Sequence, residues 1–332
     1  DTGVDERHPQ LGSTNVLPGA CFSTASNGGA SFCASGNKVI ETIEDPNTPG
    51  HTRAARSCVD ASAWSDRQTA ITAGCIHGTA MASAAAMGVM TTSSNTQGVT
   101  AKGGIAPQAS ILPIQVFNKS GNSISASSGD LLAALEWLDT EAQRRKTNNL
   151  PPLVAVNMSL GSGSYTQSCD SDYLGGLFNN VFSNLRTHGV LPVVAAGNSG
   201  TQNAIAFPAC DSNALSVAAT QLNGQTIASY SNFSNQVKLF SIGGDRNGEY
   251  ALPISCASTT SFDCWNTMAG TSPATALVSG AVAALASLKP TASPSDIESA
   301  LTTSTGGSAK TVTLNGVTKP ALRVTASGYK LL

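Results

Sequence analysis

The chain has 332 residues, 41% of them hydrophobic and only 11% charged, with a formal net charge of −2. That is enough apolar material for one large core, with no basic stripe for a phosphate backbone, so nucleic acid is excluded as the natural partner. No uninterrupted apolar run approaches the roughly 20 residues a bilayer span needs, which excludes a membrane protein on this reading.

The first residues, "DTGVDERHPQL", resemble the end of a buried strand followed by a turn. The strand that should precede Asp1 is not in the sequence. A free α-ammonium there would sit beside the Asp1 carboxylate and compete for its charge, so the reading expects the native polypeptide to extend upstream.

From residue 19 to 75 the chain lacks periodicity and is rich in Gly, Ser, Asn and Pro. It reads as a surface insertion braced by disulfides within a single domain covering 1–332. The eight cysteines form near pairs, Cys21 with Cys33, Cys58 with Cys75 and Cys256 with Cys264, leaving Cys169 and Cys210. None has metal-ligand spacing, and about a hundred connectivities are open; local pairing is the default, and an even count without metal spacing indicates an oxidising compartment. A metal site is not assigned.

Beyond residue 105, short apolar runs alternate with helical periods. "SILPIQVF" reads as a strand, and "DLLAALEWLDTEAQRRK" as an amphipathic helix with Leu131, Leu135 and Leu138 on one face. Then come the strand "LVAVNMSLG", the helix "YLGGLFNNVFSNLRTHG", and the strands "VLPVVAAGN" and "ALSVAAT". Such alternation implies an α/β fold: a doubly wound, mostly parallel sheet with helices on both faces, in three α/β/α layers. The Asn-Gly step near the end marks a hairpin around 311–332.

Ligands in such folds bind beyond the carboxyl ends of the strands. Four residues stand at strand or helix ends there: Asp1, His77 in "IHGTAMAS", Asn198 in "VVAAGNSG" and Ser272 in "MAGTSPATALVSG". Alone, each has a plainer reading. Ser272 could be an N-cap, Asn198 and Asp1 turn residues, and His77 a polar group satisfied by a carbonyl. His188, at a Gly-flanked helix end, is explained by the helix dipole.

Together and in this order, with "GGIAPQASILPIQVF", "VNMSLG" and "ASYSNFS" between them, they resemble the subtilisin-like serine proteases. The resemblance implies a secreted serine endopeptidase. Ser272 would be the nucleophile, His77 the general base, Asp1 the carboxylate that orients it, and Asn198 a donor to the oxyanion. It implies substrate-binding walls at Ser159, Leu160 and Gly161 and at Gly121, Asn122 and Ser123, with Ala195, Ala196 and Gly197 lining the first pocket.

The resemblance also implies polypeptide substrates, an inhibitory N-terminal propeptide, a monomer, an extracytoplasmic location and no cofactor for the chemistry. It leaves a structural calcium open. Gln10 argues against one, standing where relatives have a calcium-binding Asp, although Asn95 keeps the completing loop. Pro273 and Ala276-Leu277 depart from the family's usual residues after the nucleophile, and Pro273 is expected at the first helical position. Two other functions use the same scaffold: a silent peptide-binding homologue, and a transpeptidase or macrocyclase. Of the sequons at Asn118, Asn157 and Asn232, Asn157 falls on a buried strand and cannot carry a glycan.

Overall fold

A computed structural model describes residues 1–11, 16–25, 29–33, 39–40, 55–87, 103–245, 250–254, 256, 258, 260, 263–303 and 311–322. Asn95, much of the expected insertion and the end of the expected terminal hairpin lie outside the described residues. Internal contacts gather into two compact units, Asp1–Glu136 with Ala251–Asn266, and Trp137–Tyr250 with Thr267–Leu332.

In the first unit, β1 (Ala20–Cys21) lies between β3 (Val39–Ile40) and, in parallel, β4 (Ile114–Gln115). β2 (Ala30–Ser31), β5 (Phe117–Ser120) and β6 (Ser123–Ala126) make a second, antiparallel sheet. Gly121 and Asn122 form the turn between β5 and β6, and Gly121 has φ +61° in open space, the backbone that a tight hairpin requires.

The segment from 55 to 75 is more ordered than a surface insertion. It holds α1 (Arg67–Ala73), capped by the Asp66 carboxylate on the Thr69 amide and ended by Gly74 at φ +110°. Phe32, Cys58, Val59, Trp64, Ala70 and Cys75 form a buried cluster there. The cap signals of "DRQTAITAG" were present; at seven residues the helix is too short for its apolar period to register. α2 (His77–Ala86) follows, with every residue from Gly78 to Ala86 buried. Its small residues permit close approach: a Cβ on Gly78 would stand 2.2 Å from the Gly3 carbonyl oxygen.

The division between units falls within α3 (Ser128–Thr147). The second unit is a parallel sheet in the order β12-β11-β9-β7, made of Leu239–Ile242, Leu215–Thr220, Leu191–Ala195 and Ala155–Met158. β8 (Ser162–Tyr165) pairs antiparallel with β10 (Ile205–Phe207). β13 (Tyr250–Ile254) pairs with β14 (Cys264–Met268), most of both strands belonging to the first unit, and in the second unit β15 (Thr311–Leu314) forms the expected hairpin with β16 (Val317–Pro320). Its turn is Asn315-Gly316, both residues at positive φ.

Helices cover both faces of the parallel sheet, as the alternating pattern predicts. α5 (Thr271–Leu288) lays Ala274, Val278, Val282 and Leu285 on Leu191, Val193, Leu215, Val217 and Leu239. α4 (Tyr173–Thr187) packs on β9 with Phe178, Phe182 and Leu185 fully buried. Each such side chain contributes about 1.5–3 kcal/mol of apolar burial. By length and composition α5 could cross a bilayer, contrary to the expectation that no such segment exists. It is a core helix, its apolar face taken up by the sheet.

All eight cysteines are paired: Cys21–Cys33, Cys58–Cys75, Cys169–Cys210 and Cys256–Cys264. The leftover pair of the local reading is thus joined across 41 residues.

Candidate active site

The first unit prepares a histidine. His77 is the first residue of α2, and its Nδ1 lies 2.9 Å from Asp1 Oδ1 and 3.1 Å from Oδ2. A carboxylate on Nδ1 selects the tautomer with its proton there, leaving the Nε2 lone pair unprotonated. Burial holds the imidazole below its ordinary pKa, so this neutral form predominates at neutral pH. The Thr2 amide donates to Asp1 Oδ1 at 2.7 Å, which orients the carboxylate in turn.

Polar residues that sequence reasoning passed over hold this pair in place. Thr2 Oγ1 accepts from the Gly78 amide at 2.8 Å and donates to the Cys75 carbonyl at 3.4 Å, and Ser57 Oγ donates to the same carbonyl at 3.0 Å. Thr79 Oγ1 accepts from the Asp5 amide at 2.9 Å. Asp5 is buried and takes the Arg7 guanidinium through both oxygens, at 2.7 and 2.8 Å. Arg67 bonds Asp60 and the Cys256 carbonyl. The cue for Thr2 and Thr79 was slight: a hydroxyl beside Asp1 and another two residues after His77.

The second unit prepares a serine. Gly270 occupies the N-cap of α5, and Ser272 is the second helical residue, so the capping reading of Ser272 does not hold. Pro273 is consequently the third helical residue, not the first; that position is still in the first turn, where the missing N–H has no helical partner. Ser272 Oγ donates to the Ser159 carbonyl at 3.2 Å, and Ser159 Oγ donates back to the Ser272 carbonyl at 2.9 Å. Asn157 Nδ2 donates to Ser159 Oγ at 2.9 Å, and Ser279 Oγ donates to Asn157 Oδ1 at 3.0 Å. This chain of bonds ties the first three turns of α5 to the end of β7. Asn157, expected on a buried strand, is half-buried, and its side chain is taken up by these bonds; nothing in the local pattern marks Ser279.

Asn198 is exposed beyond the end of β9. Its Oδ1 accepts from the Thr271 amide at 2.8 Å and from Thr271 Oγ1 at 2.9 Å. An amide N–H needs an acceptor, so these bonds fix the side-chain flip and leave the Nδ2 hydrogens directed away from Thr271.

The expected substrate-binding residues are placed variously. Ser159 is buried and engaged as described, Leu160 is half-buried, and Gly161 is exposed. Gly121, Asn122 and Ser123 are all exposed at the tip of the β5–β6 hairpin. Ala195 and Ala196 are buried, and Gly197 has φ +105°. His51 lies outside the described residues, and His8 and His188 have structural partners. His8 is buried with Nε2 3.0 Å from the Cys264 carbonyl, and His188 Nδ1 meets Asp139 at 2.6 Å in addition to closing α4. The side chain of Asn118 accepts from Ser125 Oγ, and Asn118 and Asn232 are buried, so neither sequon is open to a glycan in the folded chain.

The calcium question meets a poor donor set. Gln10 offers a neutral amide, and no cluster of three or more His, Cys, Asp or Glu suited to a metal occurs among the described residues.

The family profile described as Subtilase family matches residues 1–321. The chain belongs to the subtilase family. It is 31% identical over 226 residues to an extracellular protease of Xanthomonas campestris pv. campestris, covering 68% of this chain and 35% of that protein. It is 33% identical over 198 residues to an extracellular serine proteinase of a Thermus species, covering 60% and 41%. With alkaline protease 1 of Aspergillus oryzae the figures are 34% over 186 residues, 56% and 40%. The chain spans less than half the length of these relatives. Among solved structures, a protease of Pseudoalteromonas arctica is similar with TM-score 0.63 and 25% identity, over 91% of this chain and 80% of that one. Sphericase, at 24% identity and TM-score 0.56 over 91% and 79%, shares the fold.

Proposed function

We propose that this subtilase is a secreted serine endopeptidase. The observation that carries the reading is the Asp1–His77 pair, a half-buried neutral imidazole whose Nδ1 is held at 2.9 Å by a carboxylate. In this mechanism His77 Nε2 takes the Ser272 hydroxyl proton as Oγ adds to the peptide carbonyl carbon. Asp1 stabilises the imidazolium so formed. The C=O π electrons move to oxygen, and that oxyanion accepts hydrogen bonds from Asn198 Nδ2 and the Ser272 amide at the start of α5. Collapse expels the amine, which receives the His77 proton; water, deprotonated by the same nitrogen, then cleaves the acyl ester.

The substrate is an extended polypeptide, bound through main-chain hydrogen bonds at Ser159–Gly161 and residues 121–123. Because the Ala195 and Ala196 side chains are buried, that stretch contributes backbone to the first pocket. Four disulfides and the names of the bacterial relatives support an extracytoplasmic location. A propeptide and a monomeric state complete the reading.

The test is fluorophosphonate labelling of the folded protein, adduct mapping by mass spectrometry, and hydrolysis of a denatured protein by wild type and Ser272→Ala. Label on Ser272 with hydrolysis abolished in the variant is expected. No label overturns the reading in favour of a silent homologue, and label without hydrolysis overturns it in favour of acyl transfer.

A further inference from the structure

Asn232 lies 34 residues beyond Asn198 in the sequence and is 1% exposed. It falls in the motif "ASYSNFS", which by itself assigns it no role. Yet its side chain makes three hydrogen bonds to the loop that carries Asn198. Its Oδ1 accepts from the Ser199 amide at 3.0 Å and the Thr201 amide at 3.1 Å, while its Nδ2 donates to the Ala196 carbonyl at 3.1 Å. Its own amide donates to the Gly197 carbonyl at 2.9 Å. The four bonds fall on both sides of Asn198, at 196 and 197 before it and at 199 and 201 after it.

The packing is as specific as the bonding. A Cβ on Gly197 would stand 2.3 Å from Asn232 Nδ2, and Gly197 has φ +105°, so residue 197 is glycine partly because Asn232 fills the space above it. Flanking contacts extend the clamp: the Gly200 amide donates to the Tyr230 carbonyl at 2.7 Å, and the Phe233 amide to the Thr201 carbonyl at 3.0 Å. Asn198 is thus held twice, its side chain by Thr271 and its backbone by Asn232.

We infer that Asn232 is a positioning residue for the oxyanion donor, aligning the Asn198 amide through the loop without touching substrate. The inference rests on the proposed role of Asn198. A donor aimed at developing negative charge loses most of its effect when it is free to move, because it must then be ordered during the reaction. A role confined to stability predicts something different: a lower melting temperature, with unchanged turnover per folded molecule.

The experiment is a double-mutant cycle in the full chain. Turnover of a fluorogenic peptide is measured well below each variant's melting temperature and normalised to sites titrated with fluorophosphonate. Asn198→Ala is expected to lower kcat by about a hundred- to a thousandfold. Asn232→Ala is expected to lower it by about ten- to a hundredfold with KM within about threefold, and to add less than about threefold to the loss in Asn198→Ala. Asn232→Ser, whose shorter side chain cannot reach both amides, carries the same cycle with a smaller loss should the alanine variant not fold. Wild-type kcat in the folded Asn232 variant overturns the inference, as do losses that multiply in the double variant. If Asn198→Ala itself leaves kcat unchanged while Ser272→Ala abolishes turnover, the oxyanion role falls and takes this inference with it. If Ser272→Ala retains turnover, the proposed function is what fails.

Discussion

The unit that carries His77 and the unit that carries Ser272 are held together by different physics. Around His77 the strands are two to five residues long, and order comes largely from cross-links and polar contacts: three disulfides, the Asp5–Arg7–Asp60–Arg67 network, and the hydroxyls of Thr2, Ser57 and Thr79. Around Ser272 a four-stranded parallel sheet is sealed by two apolar helices, with one disulfide at its margin. A residue can thus be fixed in either of two ways. Helix-on-sheet packing suits a serine that has only to sit at a helix start; a carboxylate–imidazole pair depends on angles, which directional bonds set better.

Substitutions can break that comparison. The largest effect is expected in the apolar unit, where Phe182→Ala should cost about 3–5 kcal/mol in denaturant unfolding, since Phe182 is fully buried. A loss below about 1 kcal/mol would mean that sheet packing is not what holds this unit. Removal of the Cys58–Cys75 bridge by a double serine substitution should cost about 2–4 kcal/mol. Because Cys75 lies two residues before His77, fluorophosphonate labelling in this variant should fall at a lower temperature than the unfolding of the parallel sheet followed by circular dichroism.

A third test is electrostatic. Burial, aided by the charge of Asp170, raises the Asp211 carboxyl to about 6, and its Oδ2 has no hydrogen-bond partner. A folded-state pKa above the unfolded 3.8 means that the folded chain binds the proton more tightly, so stability is lost as pH rises from about 4 to about 6. Asp211→Asn should therefore raise stability by roughly 2–3 kcal/mol at pH 8 and leave it nearly unchanged at pH 4. Equal shifts at both pH values would remove the charge from the explanation. The smallest effect belongs to Thr2→Val. It removes one hydroxyl bonded to Gly78 and Cys75, and about 1–2 kcal/mol of stability is expected to go with it. Turnover should fall by more than that destabilisation explains, because the same hydroxyl seats the first turn of the His77 helix.

The elements that were legible in advance are those whose burial is periodic. Leu131, Leu135 and Leu138 announced α3, the runs at 191–195 and 215–220 announced fully buried parallel strands, and Asn315-Gly316 announced the last hairpin. α1 escaped because seven residues make only two turns. The plainer alternative for Ser272, an N-cap, is removed by Gly270, which takes that position. The supporting residues Thr79, Asn157, Ser279 and Asn232 have no periodicity at all. Each is a small polar side chain of a common type, and its meaning lies wholly in which distant backbone group it meets.

By itself, then, the sequence determined what repeats along the chain: the period of burial, the alternation of strand and helix, the turn residues and the ordered Asp, His, Asn and Ser motifs. Those follow from steric and hydrophobic preferences acting over a few neighbours. Only the tertiary structure decided which groups meet across 31 to 122 residues, such as the Asn232 clamp on the Asn198 loop and the Ser279–Asn157 bond. Hydrogen bonds of that kind depend on distances of a few tenths of an ångström between remote atoms, and local preference along a chain does not specify them.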